Sequence, residues 1–127
     1  MASSAPTPQG YAEVFVNLEG STSQNGYMGL LTMQTYDTVG CQQACDAADS
    51  CTAFNVYIER DPAYQPQTGC ANPPSTANYR CTLWGLPINS ATATNQGQWR
   101  GPEDANGEAF HVVIAASNGK FDPHLRL

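Results

Sequence analysis

The chain has 127 residues, only 13% of them charged, and carries a net charge of −6 from eleven acids and five bases. Its length suits one domain with a core of modest size. The bases Arg60, Arg80, Arg100, Lys120 and Arg126 are scattered, so no patch follows a phosphate backbone or an anionic bilayer, and neither nucleic acid nor membrane insertion is expected. No apolar run is long enough to span a bilayer.

The opening "MASSAPTPQG", residues 1–10, is polar and contains proline, without the basic start or apolar middle of a signal peptide. It reads as a flexible N-terminal tail or linker. A first strand is predicted through "YAEVFVNL", with Val14, Val16 and Leu18 on one face and Phe15 on the other. "EGSTSQNG" reads as a turn and "YMGLLTM" as a second strand, weakened by Gly29. Asp37 or Thr38 is placed to cap a short helix over Val39–Ala48, on which Cys41, Ala44, Cys45 and Ala48 share a face. "CTAFNVYI" alternates as a strand, with Phe54, Val56 and Ile58 opposite Asn55 and Tyr57.

From Glu59 to Tyr79 periodicity is lost across four prolines, so a long loop is predicted there. "RCTLWGL" is a further strand, "PINSATATNQGQWRGPEDANGE" a loop, and "AFHVVIAA" the last clear strand, with Phe110, Val112 and Ile114 on one face. Asn118-Gly119 is a tight-turn dipeptide. The divisions are a tail at 1–10, a domain at 11–119, and a C-terminal tail or edge strand at 120–127. The fold class is α+β: a twisted antiparallel sheet of about five strands cradling one short helix, stapled by disulfides.

Three of the five cysteines lie within "CQQACDAADSC". Structural zinc needs four thiolate or imidazole ligands in close pairs. The spacing here does not offer them, the two histidines His111 and His124 are far along the chain, and a redox C-x-x-C is absent. No metal or cofactor is expected. Disulfides fit better. Cys45 to Cys51 is sterically easy, and Cys41 would then reach across to Cys81 at the start of the "CTLW" strand, although spacing does not choose among the connectivities. Cys70 is left over, as a buried free thiol or a partner for another chain.

"YDTVGCQQACDAADSCTAFNVY" followed by "RCTLWG" resembles the PAN/apple domain. More narrowly, "FNVYIERDP", "GCANPPSTANYRCTLWG", "NQGQW" and "FHVVIAASNG" resemble the apple-like domains of secreted filamentous-fungal proteins. The resemblance runs from Tyr11 to Gly119. It implies a secreted, disulfide-bonded module in which a helix carrying two cysteines is bridged to the central sheet. It implies no particular ligand, since such domains bind proteins in some cases and carbohydrates in others. Cys70 is outside the minimal apple pattern.

No G-x-S-x-G, H-E-x-x-H or phosphate-cradling glycine loop is present. Glu59 and Asp61 offer two carboxylates, but a strand end in which Arg60 bridges its neighbours, or Asp61 opens the turn at Pro62, explains them more simply. "DANGE" lacks the spaced acids of a calcium loop and reads as a turn. The chain is therefore expected to be non-enzymatic.

Sugar recognition needs flat rings with nearby amides, and the candidates are Tyr64, Tyr79 and Trp99, with Asn72, Gln98 and Arg100. Trp84 follows a core pattern. The expected function is a secreted binding module for a glycan or an extracellular protein. The alternatives are a self-associating structural or adhesive unit, using an edge strand near the C-terminus, and a small glycan-active enzyme.

Overall fold

The computed structural model describes residues 11–121; the proposed tail at 1–10 and all but the first two residues of the proposed C-terminal segment at 120–127 lie outside them. Six strands form one sheet: β1 (Ala12–Leu18), β2 (Tyr27–Met33), β3 (Ala53–Pro62), β4 (Ser75–Trp84), β5 (Gly97–Arg100) and β6 (Phe110–Phe121). All pairings are antiparallel, in the order β1-β6-β3-β4-β2, with β5 also pairing with β6. One helix, α1 (Thr38–Ala47), lies between β2 and β3 in the chain. No helix among the described residues is long and apolar enough to cross a membrane.

Helix α1 starts where the sequence places it. The Asp37 carboxylate accepts from the Gly40 amide at 2.8 Å, satisfying one of the first-turn donors. Its inner face buries Cys41 and Cys45, with Ala44 and Ala48 packed alongside. Cys41 is bonded to Cys81 in β4, and Cys45 to Cys51 just before β3. Around these sulfurs gather Tyr11, Phe54, Val56 and Leu83. A second cluster on the opposite face of the sheet joins Phe15, Ala53, Trp84 and Ile88.

Strand β3 lies between β4 and β6 and is covered on both faces, so its alternation does not divide buried from exposed. Asn55 and Tyr57 are buried as well as Phe54 and Val56. Asn55 is satisfied inside: its amide donates to Ser117 and to the Asn118 carbonyl, and its oxygen accepts from the Thr22 amide. The loops that supply this cover are tied together by the Ser21–Asn95 bridge and a Ser23-to-Thr92 backbone bond. Burial pushes the Tyr57 phenol up to about 12, with help from the Glu59 charge.

Five local expectations are corrected. In β1 the buried side chain is Phe15, while Val16 is 38% exposed. Register shifts on both sides of Phe15 and a left-handed Asn17 (φ 54°) break the alternation on which the Val14-Val16-Leu18 face depended.

The region from Glu59 to Tyr79 is not all loop. Strands β3 and β4 form a hairpin paired as far as Pro62 and Ser75, so only residues 63–74 are irregular. Proline at the end of a strand removes no ladder bond from its middle.

Asn118-Gly119 makes no turn but lies within β6, pairing with Val56 and Asn55. A Cβ on Gly119 would sit 2.3 Å from the Phe15 ring, so this glycine provides room for an aromatic rather than a bend. Lys120 and Phe121 continue the same strand. Lys120 is fully buried and ion-paired with Glu13, and the strand is interior rather than an edge.

Finally, the segment read as one loop before β6 contains the short strand β5 and a 3-10 turn at Ser90–Thr92.

Candidate functional site: the Trp99 cleft

The first half of β6 departs from β3. The β3–β6 ladder ends at Arg60 and Val113, while β6 runs back to Phe110. Arg60 fills the gap: it donates to the His111 carbonyl, and its guanidinium lies over the Phe110 ring, 4.3 Å from the centroid. On the free side of this half of β6, β5 pairs from Gly97 to Arg100, which sets Trp99 opposite His111. Directly paired residues project to the same face. Indole and imidazole accordingly stack, with centroids 4.2 Å apart and planes inclined by 11°. Trp99 nevertheless remains 62% exposed.

Beside it is a cleft of about 200 Å³ lined by Trp99, Glu103, Gly107, Glu108 and Ala109. Its far wall is a rigid turn. The Asp104 carboxylate accepts from the amides of Asn106 and Glu108, and the Asp104 amide donates to the Glu108 carbonyl. Those backbone bonds, with Asn72 as a further donor, hold the Asp104 carboxyl below its usual range. Asn72 donates to both the Asp104 side chain and the Glu108 carbonyl, at 3.0 and 3.1 Å, and so laces loop 63–74 to this wall. Arg100 to Gln65 adds a second tie. Gly101 allows a third, since a Cβ there would meet Pro66 at 2.4 Å. A second hollow, of about 250 Å³, lies beyond Glu103, between Gly69, Ala71, Asp104 and Ala105.

The six candidate residues are therefore only partly brought together. Trp99 forms the cleft wall. Asn72 braces the opposite wall through its amide. Gln98 and Arg100 flank Trp99 along β5 and project to the other face of that strand. Tyr64 is 65% exposed on loop 63–74. Tyr79 sits in β4, paired with Ile58 and Met33, three strands across from Trp99 and offset along the strands as well, so it takes no part in the cleft. Sequence reasoning missed His111, Glu103 and Glu108. The available signal was the density of acids in "GPEDANGE" immediately after the exposed tryptophan.

Cys70 is a free thiol, exposed rather than buried. Trp84 is buried, with its indole N–H donating to Thr82. Glu59 and Asp61 do lie together, but Arg60 does not bridge them. Arg80 of β4 does, at 3.3 and 3.1 Å, because Glu59 and Asp61 project to one face of β3 while Arg60 projects to the other. Asn78 also donates to Asp61. Burial, together with the hydrogen bond and charge of Asp61, raises the Glu59 carboxyl above its ordinary range against the pull of Arg80. Among the described residues no group of three or more His, Cys, Asp or Glu side chains is placed to hold a metal ion.

Comparison with protein-family models, with curated proteins and with solved structures finds no match to this chain.

Proposed function

We propose that the chain is a secreted, non-catalytic binding module of the PAN/apple type that recognises a glycan at a cell surface or in an extracellular matrix. The observation that carries this reading is Trp99, a large aromatic plane exposed at a cleft on a strand, steadied by its stack on His111. A pyranose ring presents an apolar C–H face that packs on such a plane, and polar groups around it select hydroxyls. The wall opposite is fixed by backbone hydrogen bonds, so little ordering entropy opposes binding. The cleft is small, which suits a sugar unit better than the broad surface of a stable protein interface. Two disulfides suit an oxidising, extracellular setting.

The test is a glycan array, with pull-downs on insoluble chitin and glucan, comparing the native chain with Trp99→Ala. Retention of the native protein and about tenfold weaker binding of the variant are expected. If no polysaccharide retains the native chain, or the variant binds equally, the reading fails.

A second reading, self-association with another copy of this chain, is favoured by β2. It forms the outer edge beyond β4, carries no charged residue, and exposes Tyr27, Met28, Leu30 and Leu31.

A further inference from the structure

The charge around Trp99 narrows the ligand. Most acids in the described chain are engaged: Glu13 with Lys120, Glu59 and Asp61 with Arg80, Asp46 with Tyr11, Asp37 as the helix cap, and Asp104 within its own turn. The carboxylates of Glu19, Asp49, Glu103 and Glu108 have no hydrogen-bond or ion-pair partner among the described residues, and of these four Glu103 and Glu108 are the two at the Trp99 cleft. Both are exposed. Of the nearby bases, Arg100 donates to Gln65 and Arg60 donates to the His111 carbonyl and covers the Phe110 ring, so neither is ion-paired with Glu103 or Glu108.

An aromatic plane flanked by two carboxylates that make no ion pair favours a ligand with both an apolar face and a positive charge. A volume of about 200 Å³ falls below the ~300–1,000 Å³ of pockets that enclose whole drug-sized molecules, so it fits one unit of a longer chain lying across it. Resting on the glycan reading above, we infer that the Trp99 cleft selects amino sugars with a free, protonated amine. Trp99 stacks on the ring, and Glu103 and Glu108 receive the ammonium group. A neutral or N-acetylated unit keeps the stack but gives the carboxylates no cation to pair with.

Calorimetric titration at low ionic strength with a glucosamine hexamer, its fully N-acetylated counterpart, a neutral glucose hexamer and an oligolysine peptide tests this. The native chain is expected to prefer the glucosamine hexamer over both uncharged oligomers, with affinity falling as salt is added. Glu103→Gln/Glu108→Gln is expected to weaken that binding roughly five- to tenfold and to change binding of the N-acetylated oligomer by clearly less. Far-UV and near-UV circular dichroism of the variant shows that the fold is kept. Equal binding of the charged and N-acetylated oligomers, or an unchanged double variant, overturns the amine selectivity while leaving glycan binding intact. Oligolysine binding that depends on Trp99 and both glutamates, with no glycan bound, overturns the amino-sugar assignment and the glycan reading together, in favour of a basic peptide.

Discussion

Arg80 shows how much a single side chain decides. Its guanidinium spans Glu59 and Asp61, two positions apart on β3, and also donates to Thr32 in β2. The two carboxylates lie close enough for Glu59 to be raised by Asp61 as well as by burial. A raised acid stabilises the fold in full below the ordinary glutamate range, near pH ~4.3, and that contribution is lost as pH rises through its folded value. Glu59→Gln removes this dependence. Urea midpoints measured from pH 4 to 7 are therefore expected to shift progressively in favour of the variant, relative to the native chain, as pH rises. Parallel curves would show that Glu59 titrates normally. The sequence displayed these carboxylates but suggested Arg60 as their partner, because neighbours in sequence are visible and neighbours across a strand are not. Gly119 makes the same point: beside Asn118 it has turn chemistry, yet the position is set by a Phe15 ring more than 100 residues earlier.

At the scale of elements, α1 was legible because its signals are local: a capping carboxylate, a helical cysteine spacing and no β-branched run. What α1 packs against depends on the disulfides. Closing a loop across the 40-residue separation of Cys41 and Cys81 contributes about 4 kcal/mol by chain entropy, and the Cys45–Cys51 loop about 2 kcal/mol. Cys41→Ala/Cys81→Ala is thus expected to lower stability by about twice as much as Cys45→Ala/Cys51→Ala in chemical denaturation. Equal losses would show that local packing rather than loop closure dominates. The hairpin β3–β4 was legible only in its inner half. Its outer half, from Glu59 to Pro62 and from Ser75 to Tyr79, lacks apolar alternation and is held in register by the pairing begun further in. Strand β5 was hidden for a similar reason, since four residues beside a glycine carry too little pattern to register before β6 offers them a partner.

For the whole molecule, the sheet has outer edges with different protection. Strand β2 has only β4 beside it, while on the other side β1 and β5 each have only β6, and β6 itself is interior. The C-terminal strand therefore offers no edge through Phe121, and among the edge strands self-association falls to β2, the one that carries no charged residue. Light scattering across a concentration series is expected to show mass rising with concentration, and Leu30→Lys, which places a charge on that edge, is expected to suppress the rise. A native chain that stays monomeric at high concentration removes this reading and leaves the Trp99 cleft unaffected.

The sequence by itself determined where the helix starts, which segments tend to extend and which aromatics are candidates for exposure, because capping, periodicity and polar flanks act over a few residues. Only the tertiary structure decided that Phe15 rather than Val16 is buried, that Arg80 serves Glu59, and that Glu103 and Glu108 stand beside Trp99. The first two follow from strand register and bulges, and the third from the β5–β6 pairing that returns the intervening turn to Trp99; all are set by contacts beyond the reach of local sequence pattern.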